Sequence, residues 1–83
     1  MDKVLINVYV PILNVSYDMF LPLTLQMHEA LELIKKAVFE MSDGRFVSNS
    51  NNILSYRSNG KIVNINLSVS ELGIRNGSML MLI

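Results

Sequence analysis

Ser78-Met79-Leu80-Met81-Leu82-Ile83 is the last stretch of the sequence, and its reading decides the fold. Five consecutive apolar residues follow the turn signal Asn76-Gly77. A run that short, opened by a turn, reads as a strand buried on both faces, and such a strand belongs in the middle of a sheet. Its natural neighbour is the first strand, Lys3 to Val10. There Val4, Ile6, Val8 and Val10 fall on one face, and Leu5, Asn7 and Tyr9 on the other. The first set is apolar and β-branched throughout, which assigns it to the core.

Pro11 has no amide proton for a ladder and ends that strand. Residues 11–16 form a loop. Tyr17 to Leu21 is the second strand, with Tyr17, Met19 and Leu21 on one face and Asp18 and Phe20 on the other. Two strands with a short connection read as an antiparallel hairpin. Pro22 closes it, and Thr24 is placed to cap a helix running from Leu25 or Gln26 to Met41. Met27, Leu31, Ile34, Val38 and Met41 recur at three- and four-residue steps as one apolar stripe, with Ala30 and Ala37 beside it. The charged residues fall mostly elsewhere, and Glu32 with Lys36 makes a favourable i,i+4 pair. Ser42-Asp43-Gly44 ends the helix, with Gly44 suited to the left-handed C′ position.

Residues 43–52 are rich in Ser and Asn and read as a polar loop with a mobile second half. Ile53 to Arg57 is a third strand. Ser58-Asn59-Gly60 turns the chain, and Lys61 to Asn64 or Asn66 returns as a short fourth strand. Ser70-Glu71-Leu72-Gly73 reads as one helical turn, capped by Ser70 and stopped by Gly73. Ile74 then plugs the core. A single apolar stripe lets the helix cover only one face of one sheet. The expected architecture is therefore α+β: a mixed sheet of four to five strands, one main helix on one face, a short helical turn before the last strand, and the terminal strands parallel at the centre. No repeat or internal boundary interrupts residues 1–83, so they read as one domain.

Segment Val69-Ser70-Glu71-Leu72-Gly73-Ile74-Arg75-Asn76-Gly77-Ser78-Met79-Leu80 resembles the ubiquitin-like signature, a Leu-Ser-Asp-Leu-Gly-Ile type turn before a Gly and a terminal apolar strand. Within that β-grasp superfold, Tyr17-Asp18-Met19-Phe20-Leu21-Pro22 ahead of an amphipathic helix is similar to the YukD/EsaB family. Those are small ubiquitin-like proteins that accompany type VII secretion systems of Gram-positive bacteria. The resemblance implies a cytoplasmic accessory or regulatory protein that binds other secretion components and catalyses nothing. As in that family, no Gly-Gly ends the sequence, whereas modifiers and sulfur carriers need a flexible Gly-Gly tail; Ile83 is β-branched and expected within the sheet. Two alternatives stay open: a modifier or sulfur carrier cut before its tail, and a ubiquitin-like domain taken from a larger secretion subunit.

Composition agrees with a binding role. Lys plus Arg and Asp plus Glu are 7 each, which removes the electrostatic argument for nucleic acid or an anionic membrane. Charged residues are 17% and hydrophobic residues 51%, more apolar matter than so small a chain can hide. There is no Cys, hence no disulfide, cysteine metal site or thiol nucleophile. No secretory signal is visible, and no apolar stretch approaches the ~20 residues of a membrane span, so direct membrane insertion is not expected.

Catalytic and cofactor signals reduce to ordinary surface chemistry. His28 is the only His, one step off the stripe, and reads as a surface residue rather than a metal ligand. Glu29 and Glu32 lie beside Lys35 and Lys36 on a solvated helix face, without the cleft that acid–base pairs need. The serines lack a Gly-x-Ser-x-Gly context, and the four glycines sit at separate turns rather than in a phosphate loop. Arg45, Arg57, Arg75 and Lys61 are balanced by acidic residues. What stands out is the outer face of the sheet. If Leu80 and Leu82 face the helix, then Met79, Met81 and Ile83 face away, joined by Leu5, Tyr9 and Phe20. These six are the expected docking patch, for another protein or for a second copy.

Overall fold

The computed structural model describes residues 2–83. Its elements are β1 (Lys3–Val10), β2 (Val15–Pro22), α1 (Met27–Met41), β3 (Leu54–Tyr56) and β4 (Met79–Leu82). The sheet order is β2-β1-β4-β3. β1 pairs antiparallel with β2 and parallel with β4, and β4 pairs antiparallel with β3. This is the mixed ubiquitin-like sheet expected from the sequence, with the last strand central beside the first.

The alternation is obeyed in β1, β2 and β4, whereas in β3 both Leu54 and Ser55 are buried. Val4, Ile6, Val8 and Val10 of β1, Met19 and Leu21 of β2, Leu54 of β3 and Leu80 and Leu82 of β4 are buried in one core. Met27, Ala30, Leu31, Ile34 and Val38 of α1 cover it. The six-residue closing run is therefore not buried on both faces, since Met79 is exposed.

The boundaries differ from the sequence expectation where backbone groups found unforeseen partners. β2 begins two residues early because Asn14 takes a left-handed φ of 53°, which tightens the turn and lets Val15 pair directly with Val10. Thr24 does not cap α1. The N-cap is Gln26, whose side chain makes no capping bond. Instead the amides of Met27 and His28 donate to the carbonyls of Leu67 and Ile65, at 2.8 and 3.1 Å. The later chain, passing across the helix start, thus satisfies donors that a side-chain cap would otherwise take.

At the other end, Asp43, not Gly44, holds the C′ position. Its φ is 54°, its amide donates to the Glu40 carbonyl, and the Gly44 amide donates to that of Phe39, which is the Schellman pattern. Met41 is 47% exposed, and Phe46 from the following loop joins the core instead. Lys35 also departs from the expected polar face. Its stem is buried and its ammonium reaches Glu32 at 3.0 Å, so Glu32 pairs at i+3 rather than with Lys36.

The third strand is shorter than expected, and the fourth reduces to an isolated bridge between Ser55 and Ile62. Ser68, not Ser70, caps the helical turn before β4: its hydroxyl accepts from the Glu71 amide and the Glu71 carboxylate accepts from the Ser68 amide. The Asn-rich loop, expected to move, holds itself through side chains. The Asn49 amide donates to Asn52 Oδ1, and Asn52 Nδ2 donates to the Ile83 carbonyl.

Candidate functional site

The ladder register sets the outer-face residues in rows. Phe20 stands opposite Leu5. In the next row Asp18, Asn7 and Met79 are partners across β2, β1 and β4. The row beyond holds Ser16, Tyr9, Met81 and Ser55, with Ile62 at its end. The Asn7 backbone amide donates to the Ser78 carbonyl at 3.0 Å, which locks β4 against β1 below the level of Met79.

Of the expected six residues, Phe20 (64% exposed), Met79 (51%), Ile83 (53%) and Leu5 (37%) are open to solvent. Tyr9 and Met81 are half-buried. The six do not form one continuous apolar surface. Asn7 Nδ2 donates to Asp18 Oδ1 at 3.0 Å, and this polar pair separates Leu5 and Phe20 from Tyr9. Ile83 belongs to a groove of about 330 Å³ at the end of the sheet, lined also by Ile12, Val47 and Arg45. Its backbone is held on both sides, by exchange of N–H···O bonds with Ile53 at 3.0 Å and by Asn52.

One residue at the centre of the face escaped the sequence reading. Arg57 leaves the end of β3 with its amide donating to the Met79 carbonyl at 3.1 Å. Its guanidinium carbon lies 4.3 Å from the centroid of the Tyr9 ring. β4 separates β3 from β1 in the sheet, so the Arg57 side chain reaches over β4 to make this contact. The Tyr9 hydroxyl is fixed in turn, donating to Asn14 Oδ1 at 2.8 Å. The signal was available: Ser55 faces outward, so Arg57, two residues on, does too. Beside it Ser55 is 1% exposed, and its hydroxyl has no hydrogen-bond partner.

Elsewhere, a wider groove of about 640 Å³ runs between α1 and residues 48–54, but its lysine, Lys35, is already paired with Glu32. His28, Glu29 and Glu32 are exposed on the helix. No three His, Asp or Glu side chains among the described residues gather as a metal site would require. No helix among them is long and apolar enough to cross a membrane.

No protein-family model matches the chain, and no curated protein matches it. Solved structures do. The ubiquitin-like domain of the Mycobacterium tuberculosis type VII secretion system protein ECCD1 superposes over 100% of this chain and 99% of its own, with a TM-score of 0.68 and 13% identity. A chain of the MycP5-free ESX-5 inner membrane complex matches all of this chain with a TM-score of 0.71 and 13% identity. Only 21% of that longer chain is covered, so this chain spans about a fifth of it. A chain of a toluene 4-monooxygenase HD complex matches 98% of this chain and 96% of its own, with a TM-score of 0.76 and 8% identity. At these identities the likeness establishes the ubiquitin-like β-grasp fold and nothing further.

Proposed function

We propose that this chain is a non-enzymatic ubiquitin-like protein-binding module, cytoplasmic, and accessory to a type VII secretion system in the manner of the YukD/EsaB family. The observation that carries the binding role is the open apolar ground of the outer face, where Leu5, Phe20 and Met79 stand clear of the core that the same strands build. Exposed apolar residues grouped on one face are characteristic of interaction surfaces. The secretion context is supported by the resemblance of residues 69–80 to the ubiquitin-like signature and of residues 17–22 to the YukD/EsaB family, and by the like-folded ubiquitin-like domain of a mycobacterial type VII secretion protein.

A second reading has one observation in its favour. The ESX-5 chain carries a domain of this shape within a much longer polypeptide. On that reading residues 1–83 are the ubiquitin-like domain of a larger secretion subunit, and the outer face docks within the assembly.

The test is site-specific photo-crosslinking in cells of the source organism, with the photoreactive residue at position 20, at position 79 or, as control, at the exposed helix position 29. Positions 20 and 79 are expected to capture a secretion-system protein that position 29 does not. Equal capture from all three positions, or partners unrelated to secretion, overturns the proposal.

A further inference from the structure

We infer that the partner of the outer face is a peptide segment carrying a carboxylate between apolar side chains, and that the carboxylate engages Arg57 in place of the Tyr9 ring. This rests on the protein-binding reading above and specifies its ligand.

Arg57 is a cation on the outer face, beside Met79 and over the ring of Tyr9. Among the described residues the only ion pair is Lys35 with Glu32, so no carboxylate of the chain neutralises it. Asp18, the acid on the same face, lies three strands away across the sheet and is held by Asn7. What Arg57 has is the face of Tyr9 at 4.3 Å. A carboxylate meeting the guanidinium fork with two parallel hydrogen bonds gains more than a cation resting on the face of a half-buried ring. A carboxylate arriving from outside therefore displaces the ring rather than competing with an internal partner.

The surroundings suit the rest of such a segment. Met79 lies directly beside Arg57 on the adjoining strand and can adapt its shape to an apolar side chain. Movement of the guanidinium also bares the face of Tyr9, whose ring stays in place through its hydroxyl bond to Asn14.

The experiment is selection of displayed random linear peptides on the whole chain, followed by titration of the enriched peptides. Peptides with Asp or Glu between apolar residues are expected to dominate. Their affinity should fall about tenfold or more on Glu→Gln substitution in the peptide or on Arg57→Gln in the protein. Arg57→Lys should also weaken binding, because it keeps the charge and loses the fork. Arg57 is exposed, so both variants should keep the circular dichroism of the parent. Peptides that bind through the outer face, lost on Phe20→Ser with Met79→Ser, yet show no acid preference and ignore Arg57→Gln would overturn this inference and leave the binding role intact. Failure to select any peptide sensitive to Phe20→Ser with Met79→Ser would overturn both.

Discussion

Ser68 and Glu71 cap one another: the Ser68 hydroxyl accepts from the Glu71 amide at 3.1 Å, and the Glu71 carboxylate accepts from the Ser68 amide at 2.9 Å. This reciprocal pair holds the turn that delivers Ile74 to the core and aims the chain into β4. Loss of an N-cap hydroxyl costs about 1 kcal/mol, so Ser68→Ala should lower the unfolding free energy by that much, through a lower urea midpoint at an unchanged slope. A variant as stable as the parent would show that the turn is held by its packing alone.

The same pair makes stability depend on pH. The Ser68 backbone amide, and then its hydroxyl, hold the Glu71 carboxyl below its ordinary value of 4.5. A carboxyl whose folded pKa is depressed stabilises the fold above the unfolded pKa, and the contribution fades as pH falls through the folded one. Urea midpoints of the parent should therefore fall on acidification below about pH 4.5 more steeply than those of Glu71→Gln, which keeps a capping oxygen without the titration. Parallel acid limbs would contradict the linkage.

Neighbouring residues of β4 should behave oppositely. Leu80 is fully buried and Met79 half exposed. Leu80→Ala should cost about 2–5 kcal/mol, a large part of the stability of so small a protein, whereas Met79→Ala should stay within about 0.5 kcal/mol. Comparable losses at the two positions in chemical denaturation would mean that the outer face is covered in solution.

Ser55→Ala should raise stability, by about 1 kcal/mol, because it removes a buried hydroxyl that has no partner. A thermal midpoint lower than the parent's would show that the hydroxyl is bonded within the free protein.

Gly77 adopts φ +89°, and an added Cβ would meet no atom within 4 Å. The cost of Gly77→Ala is then the backbone's own, about 1–2 kcal/mol for placing an L-residue in that region. A larger loss, read by denaturation, would point to distortion of the contact in which the Gly77 amide donates to the Leu5 carbonyl.

Much of this fold was legible because its strands carry a period of two and its helix one stripe. β1 ran from Lys3 to Val10 as its alternation required, and the run after Gly77 became the central strand. What escaped were backbone groups satisfied from a distance. Thr24 stands where caps usually stand, but Leu67 and Ile65 supplied the acceptors, and no local pattern announces a crossing chain. Ser70 looked like the cap because it opens the Glu-Leu-Gly turn; the Ser-x-x-Glu spacing from Ser68 was the better sign. For the candidate site, alternation found which residues face outward. It could not show that Asn7 and Asp18 divide them, or that Arg57 crosses β4 to Tyr9, since both depend on which strands are neighbours.

The parallel pairing of β1 with β4 has a consequence for how the molecule is made. The Leu5 amide donates to Asn76, 71 residues away in sequence, and the rows of Asn7 and Tyr9 await Met79 and Met81. During synthesis the β1–β2 hairpin can form early, but the other edge of β1 stays unpaired until nearly all of these residues have emerged. Contacts so distant slow folding, although the closure entropy itself grows only gently with chain length. An open apolar strand edge is meanwhile a template for another nascent chain. The hazard of aggregation is thus concentrated in translation, before the strand that completes the sheet has left the ribosome.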